Sequence, residues 1–426
     1  MTSGGTRAVD RCRTLGVAPY SDSLDGLYRG YLTPAHAQAL QQVGQWMREA
    51  GMAVRIDPAA NLVGRYEGLS EGPPLVIGSH IDSVQNGGCF DGPLGIMLGI
   101  ECVASLAAEG RRMAFPIEIY AFGDEEGSRF PAAMLTSRAV AGNLDPASLA
   151  VSDRAGVSLS QALADFGSAQ LSEARYPAAR HAGALAYLEA HIEQGPVLEA
   201  AGLALGTVTG IAAQLRYSVG VAGQAGHAGT TPMDLRRDAL AGAAEMVLAA
   251  ETQAHAAGGG LVATVGKIEA RPGAANVIPG SAHFTVDVRA ADDQACRDAA
   301  SAILGRFGEI AGRRGLSVNH EVLQDLPAAH CDTGLSDMLE AAIGGLGQPA
   351  KRLLSGAGHD AMVMASLCPV AMLFIRCRAG ISHNPAEHVE PADAELALGA
   401  MLGFIDRLEA DVSASQTACA AQGDRP

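Results

Sequence analysis

Seven side chains in this 426-residue sequence have the type and spacing for metal-assisted chemistry. His80 and Asp82 form H-x-D, and Asp91 follows in C-F-D-G. Glu125 and Glu126 are adjacent in G-D-E-E-G, His191 lies in H-I-E-Q-G, and His383 in G-I-S-H-N-P. Three histidines and two carboxylates furnish a pair of N/O metal sites, a ligand mix that suits zinc and also manganese, cobalt or nickel. One carboxylate bridging two metals would hold them roughly 3.5–4 Å apart, the spacing of two-metal hydrolases. Consecutive side chains point different ways, so one of the paired glutamates can sit on a metal while the other acts as a base.

Each feature taken singly has an ordinary explanation. A lone histidine on an apolar helix is more often a satisfied structural residue than a ligand. An acidic pair such as Glu125-Glu126 is usually a solvated turn, and Asp91 before Gly92 can simply cap a helix. Those readings lose force together, because all five elements recur at the ends of buried strands, where unpaired charge is expensive and metal binding offsets the cost. His36, His181, His255 and His320 have no such context and read as structural.

The elements that position these residues follow from the pattern. The stretch 74–101 starts as a buried strand (74–79), turns through a Gly-rich loop with His80 and Asp91, and ends in a helix (92–109) that is apolar almost all round. Before it, the segment 20–33 is polar and turn-rich. A helix then opens with Thr33 as N-cap and Pro34 at its first position, and Gly51 ends it. Strands are predicted at 53–57, 61–66 and 115–122, the last running into G-D-E-E-G. Residues 143–182 carry weak helical signals, and a helix around 184–201 is expected to carry His191. From about 210 the order is strand 214–222, helix 234–256, strand 261–269, strand 282–289, helix 291–314 and strand 316–323. That is β-α-β-β-α-β, a ferredoxin-like unit. After it come an apolar strand at 369–375, an amphipathic helix from about 391 to 410, and a frayed tail. The expected architecture is an α/β catalytic domain with a mixed central sheet, in two parts (1–210 and 326–426), with a lid and dimerisation domain (211–325) inserted between them.

Composition bounds the function. Hydrophobic residues at 48% with only 18% charged describe a well-buried globular chain. A formal charge of −16 argues against nucleic acid as a partner, since phosphate binding needs clustered Lys and Arg. Eight cysteines without a C-x-x-C pair read as reduced, mostly buried thiols. No signal-peptide core and no apolar run near the ~20 residues of a membrane span are present. The expectation is a cytoplasmic protein with no membrane partner.

The segments GSHIDSVQNGGCFDGPLGI, GDEEGSRF, HIEQGPVLE, GHAGTTPMDLRRDAL, ANVIPG, SGAGHDAM and GISHNPAEHVEPAD together resemble the M20 metallopeptidase-like superfamily. More narrowly, they resemble its amidohydrolase branch: allantoate amidohydrolases, N-carbamoyl-L-amino-acid hydrolases and β-ureidopropionases. The resemblance implies two divalent metals per subunit. His80, Asp91 and His191 would bind one, and Glu126 and His383 the other together with the shared Asp91. Glu125 would be the general base and Asp82 the carboxylate that orients His80. In the inserted domain, His227, Asn276 and Arg289 match substrate-binding residues: His227 for the oxyanion, Arg289 as a bidentate clamp on a substrate carboxylate. Arg289 on its own reads equally as a surface ion-pair partner. Gly358 matches a segment that contacts the substrate backbone, and Gln214 and Arg216 are candidates for substrate choice. The implied reaction is hydrolysis of a ureido group on a small carboxylate, by a homodimer joined through the lid. Allantoate is the first candidate, with N-carbamoyl amino acids and β-ureidopropionate as alternatives. A peptidase or deacylase on the same scaffold is the more distant one, and His191, where the peptidase branch typically has a carboxylate, speaks against it. A non-catalytic binding protein of this fold would be expected to have lost a ligand or the base.

Overall fold

The structure is a computed structural model that describes residues 2–167 and 171–423. The chain forms two compact units, one made of Met1–Thr209 with His330–Pro426 and the other of Gly210–Ala329.

The larger unit is built on a nine-stranded mixed sheet. Its order is Ala53–Ile56, Leu62–Tyr66, Ile117–Phe122, Leu75–His80, Ala186–Ile192, Val370–Ile375, Leu205–Ile211 and Ala329–His330, with Arg352–Ser355 also paired to Leu205–Ile211. The four central strands, from Ile117–Phe122 to Val370–Ile375, are mutually parallel, and antiparallel strands flank them on both sides. Every residue of those four is buried, as expected where helices cover both faces of a parallel sheet and the strands read as continuous apolar runs. The helix Pro93–Ala108 is buried along most of its length, and its one acid, Glu101, is fully buried. Arg7 and Arg11, on the helix Gly4–Leu15, neutralise it through ion pairs of 2.5 and 2.7 Å.

Several expectations need correction. The segment 184–201 is not a helix: Ala186–Ile192 is a central parallel strand, and only Val197–Ala200 is helical. Its run of apolar residues fits either state, and the partners on both sides decide it. The helix Gly4–Leu15 was not anticipated, because Gly4 and Gly5 weaken the signal. Both are glycine because a Cβ there would lie 2.3 Å from the Leu398 side chain or 2.2 Å from the Glu395 backbone. The C-terminal helix runs Pro391–Gly423 rather than ending near 410, and positions 424–426 of the expected tail lie outside the described residues. Residues 143–182 resolve into short helical pieces such as Leu159–Asp165, with 168–170 outside the described residues.

The smaller unit holds an antiparallel sheet of order Ile268–Arg271, Ser281–Ala290, Ala213–Ala222, Ser317–Leu326, with Val262–Thr264 paired beside Ile268–Arg271 on the same neighbour. The expected single strand 261–269 is thus two short ones. Its helix starts at Ala239, capped by Asp238, not at 234. Phe284, Val286 and Val288 face the core with Val219, Val221, Ile303 and Phe307. Seven cysteines are free thiols, six of them buried, and the side chain of the eighth, Cys419, lies outside the described residues. Among the described residues, no helix is long and apolar enough to cross a membrane.

Candidate metal centre

The four parallel strands deliver their polar residues at one edge of the sheet. His80 ends its strand, Gly123 to Glu126 follow Phe122, His191 lies one residue before the end of its strand, and the loop after Ile375 leads to His383. The carboxyl ends of parallel strands are where open α/β sheets build their sites.

Asp91 stands at the middle of this cluster. Its Oδ1 faces His191 Nε2 at 3.1 Å and His80 Nε2 at 3.6 Å, while its Oδ2 faces His383 Nε2 at 3.2 Å. His383 also lies 3.3 Å from Glu126 Oε1. Ligand atoms therefore fall into compact groups: His80, Asp91 and His191; Asp91, Glu126 and His383; His80, Glu125 and Glu126; and Glu189, His191 and His359. Asp91 does not cap the helix that follows, whose N-cap is Gly92 without a side-chain bond. Gly92 has φ +84°, and a Cβ there would lie 2.5 Å from the His80 ring, so only glycine lets the ring rest on this turn.

The hydrogen bonds around the two buried histidines fix their tautomers. His191 Nδ1 lies 2.9 Å from the Ile192 carbonyl, and His80 Nδ1 lies 3.2 Å from the Asp82 carbonyl. A carbonyl only accepts, so both Nδ1 atoms carry a proton, and in the neutral rings both Nε2 atoms turn lone pairs inward. Those two Nε2 atoms are 3.4 Å apart, and Asp91 Oδ1 beside them is buried without a hydrogen-bond partner. Two lone pairs and an unpaired carboxylate oxygen in a buried pocket are the donor set a divalent cation requires.

The Asp82 carboxylate has two tasks. Its Oδ1 lies 3.5 Å from His80 Nδ1, and its oxygens accept the backbone N–H groups of Glu125 and Glu126, both at 3.2 Å. It thereby ties the first ligand loop to the paired glutamates. Glu125 is no solvated turn: it is 9% exposed. Burial pushes its carboxyl well above the usual range, with His80 pulling back and Glu126 adding to the rise.

Residues that sequence reasoning did not single out complete the pocket. Gln194 Nε2 and Ser382 Oγ donate to Asp91 Oδ2 at 2.9 and 2.6 Å. Glu387 Oε1 accepts the N–H groups of Phe90 and Asp91 at 2.7 and 3.0 Å, and burial, helped by Asp91, raises its carboxyl to about 7. Behind His191, the His359 ring packs edge-on at 4.4 Å, and its Nε2 meets Ser355 Oγ at 2.8 Å. Glu189 accepts from Ser79 Oγ, Tyr187 Oη and the Ala361 N–H. Burial pushes Asp360 up to about 8, with Glu189 adding to it. Gln194 sits inside the motif of His191, and Ser382 and Glu387 inside the segment GISHNPAEHVEPAD that carries His383, so adjacency was a signal for all three.

The remaining candidates belong to the smaller unit. His227 and Asn276 lie together on a two-stranded ribbon in which His227 pairs with Val277 and Asn276 O accepts the Ala228 N–H. His227 Nδ1 accepts from the Gly229 N–H at 3.1 Å, which leaves the proton on Nε2. Gln214, Arg216 and Arg289 converge on Asp287, at 2.6, 2.8 and 2.9 Å. Burial raises the Asp287 carboxyl, and Arg289 and Arg216 outweigh it, so the acid is held below its usual range. Gly358 lies in the larger unit, in the turn after Arg352–Ser355.

Residues 76–407 match the family model described as Peptidase family M20/M25/M40. The chain belongs to this family. Within it, the chain is 42% identical to the N-carbamoyl-L-amino acid amidohydrolase of Geobacillus stearothermophilus, over 90% of this chain and 93% of that protein. It is 38% identical to allantoate deiminase 1 of Glycine max, over 94% and 89% of the two chains. Among solved structures, an amidase of the hydantoinase/carbamoylase family from Burkholderia multivorans superposes with a TM-score of 0.89 at 33% identity, covering 96% of this chain and 98% of that one.

Proposed function

We propose that this chain is a two-metal amidohydrolase that cleaves the ureido (carbamoyl-amide) C–N bond of a small carboxylate, releasing ammonia and carbon dioxide. The observation that carries the reading is the pair of buried histidines whose Nε2 lone pairs converge, 3.4 Å apart, beside the unpartnered Asp91 Oδ1. His80, Asp91 and His191 would hold one cation; Glu126 and His383, with the other oxygen of Asp91, the second. Divalent cations held there supply Lewis acidity, which acidifies water and polarises a carbonyl.

The chain's own residues supply the rest. Glu125 is the general base: it takes a proton from the attacking water and passes it to the leaving nitrogen. His227, protonated at Nε2, donates to the oxyanion. Arg289, held beside Asp287 and Arg216, is the proposed clamp for the substrate carboxylate, with Asn276, Gln214 and the Gly358 backbone contacting the rest of the substrate. The strand order of the smaller unit supports reading it as a ferredoxin-like lid. Its edge strand Ser317–Leu326, with Val322 and Leu323 each 53% exposed, supports a homodimer through that edge. A solution mass of one chain would overturn the pairing.

Relatives with both substrate names stand at similar identity, so assay decides between them. Metal-loaded protein is given allantoate and several N-carbamoyl-L-amino acids, and ammonia is measured. Allantoate is the expected first substrate, and turnover of only N-carbamoyl compounds moves the assignment to the second class. Glu125→Gln is expected to keep both metals and lose activity by about 10²–10⁴-fold. Full activity in that variant overturns the base assignment.

A further inference from the structure

Asp287 lies on the strand Ser281–Ala290, directly opposite Arg216 on Ala213–Ala222, and Arg289 on the first strand lies opposite Gln214 on the second. Side chains alternate along a strand, so these four share one face, while Leu215, Val286 and Val288 on the other face are buried in the core of the smaller unit. The Asp287 carboxylate divides its two oxygens. Oδ1 accepts from Arg289 Nε at 2.9 Å. Oδ2 accepts from Gln214 Nε2 at 2.6 Å and Arg216 Nε at 2.8 Å, and it meets Arg216 Nη2 at 2.7 Å, while Arg289 Nη2 stands off at 3.5 Å. The side edge of the Arg289 guanidinium therefore faces Asp287, and a bidentate carboxylate must approach the Nη1/Nη2 end. An arginine side chain is long and rich in rotamers, and ordering it on binding costs affinity. A carboxylate that holds Nε beforehand removes part of that cost.

We propose that Asp287 is a positioning residue for substrate binding: by holding Arg289 Nε it fixes the guanidinium in the orientation that clamps the substrate carboxylate. The inference rests on the reading of Arg289 as that clamp. The opposite role, a carboxylate that imitates the substrate and must be displaced by it, fits the geometry less well. Asp287 is bonded to Gln214 and Arg216 as well as to Arg289, so leaving would strand donors on two strands at once. Asparagine has the same shape and separates the two oxygens. Its single carbonyl oxygen turns to the place of Oδ2, where Gln214 and Arg216 converge, and its NH₂ then faces the Nε–H of Arg289, donor against donor. The substitution thus releases Arg289 and leaves the rest of the cluster bonded.

The test reads kcat and KM for the ureido carboxylate that the wild type turns over. It uses metal-loaded wild type, Asp287→Asn, Arg289→Ala and the double variant, with metal content measured alongside. Asp287→Asn is expected to raise KM about tenfold or more while kcat stays within about threefold and the metals are retained, the pattern of lost uniform binding. Arg289→Ala is expected to raise KM at least as far. In that background, adding Asp287→Asn is expected to move KM by less than about twofold, because Asp287 acts through a side chain that is gone. Asp287→Glu, which keeps the charge but moves it by a methylene, is expected to raise KM too and serves if Asp287→Asn does not fold. A KM in Asp287→Asn at or below that of the wild type overturns the positioning role, and a fall marks Asp287 as a competitor of the substrate. An undiminished effect in the Arg289→Ala background overturns action through Arg289. A wild-type KM in Arg289→Ala overturns the clamp reading itself, and a wild type that hydrolyses no ureido carboxylate overturns the proposed reaction; the role of Asp287 falls with either.

Discussion

At the scale of single residues, Asp91 is the group on which the rest depends. One oxygen faces His80 and His191, and the other faces His383 while accepting from Gln194 and Ser382. If both metals share this carboxylate, Asp91→Ala should lose both equivalents in a metal analysis of the purified protein, and retention of two would sink the bridge. Glu387 makes a subtler case. It grips the backbone N–H groups of Phe90 and Asp91 from a loop about three hundred residues away, four residues after His383. Glu387→Ala strands two buried donors, at about 1–3 kcal/mol each, and metal affinity should drop about 10–100-fold. Calorimetric titration of the metal-free variant reads that directly. The sequence announced Asp91 through its position in a Gly-rich loop. It marked Glu387 only as a member of the segment around His383 and not by its role, because an acid in a polar turn looks solvated until its partner, distant in the chain, is known.

At the scale of elements, most boundaries were legible because local chemistry sets them. Thr33 accepts from the His36 N–H and Pro34 opens the helix Pro34–Glu49, as the Thr-Pro pair predicted. The strand Ala186–Ile192 was not legible. An apolar stretch of that length has no period that separates a buried strand from a buried helix, and what makes it a strand is Leu75–His80 on one side and Val370–Ile375 on the other. That misreading had a chemical consequence, since on a strand Glu189 and His191 share one face. The helix Pro34–Glu49 also carries an acid-sensitive element. His36 is fully buried, its Nδ1 accepts the Leu32 N–H at 3.1 Å, and burial lowers its pKa to about 3. A depressed histidine favours the folded state while neutral, so its contribution is complete above the unfolded value of about 6.5 and is lost as pH falls towards 3. Below pH 6.5, wild-type unfolding free energy should therefore fall faster than that of His36→Asn, by up to about 1.4 kcal/mol per pH unit. Urea titrations of both at pH 4.5–6.5 check this, and parallel slopes would exclude His36 as the source.

At the scale of the whole molecule, the division into two units separates the tasks. Among the described residues, every candidate metal ligand lies within the larger unit, on the ends of its parallel strands and the loops that follow them, and none comes from Gly210–Ala329. The pocket without a cation is electrostatically strained toward protonation. Asp91 and Glu126 raise His383 to about 10, with burial opposing, and at His191 burial pulls down but the hydrogen bond and charge of Asp91 together carry the group above its usual value. Metal entry must displace those protons. Calorimetric metal binding to the stripped protein near pH 7.5 should release at least one proton, seen as heat that scales with the ionisation enthalpy of the buffer. The same division predicts where metal removal acts. The ligand loops 81–92, 123–127 and 376–388 are held largely by hydrogen bonds that converge on Asp82, Asp91 and Glu387. Chelation leaves His80 and His191 opposed across 3.4 Å with no cation between them, so these loops should open more often. The sheet of the smaller unit, with its own core of Phe284, Val286 and Phe307, has no ligand to lose. Amide hydrogen exchange, with and without chelator, should accordingly rise in the three loops and stay unchanged through Ser281–Ala290 and Ala213–Ala222. A uniform rise across both units would mean that the metals stabilise the chain as one cooperative body rather than locally.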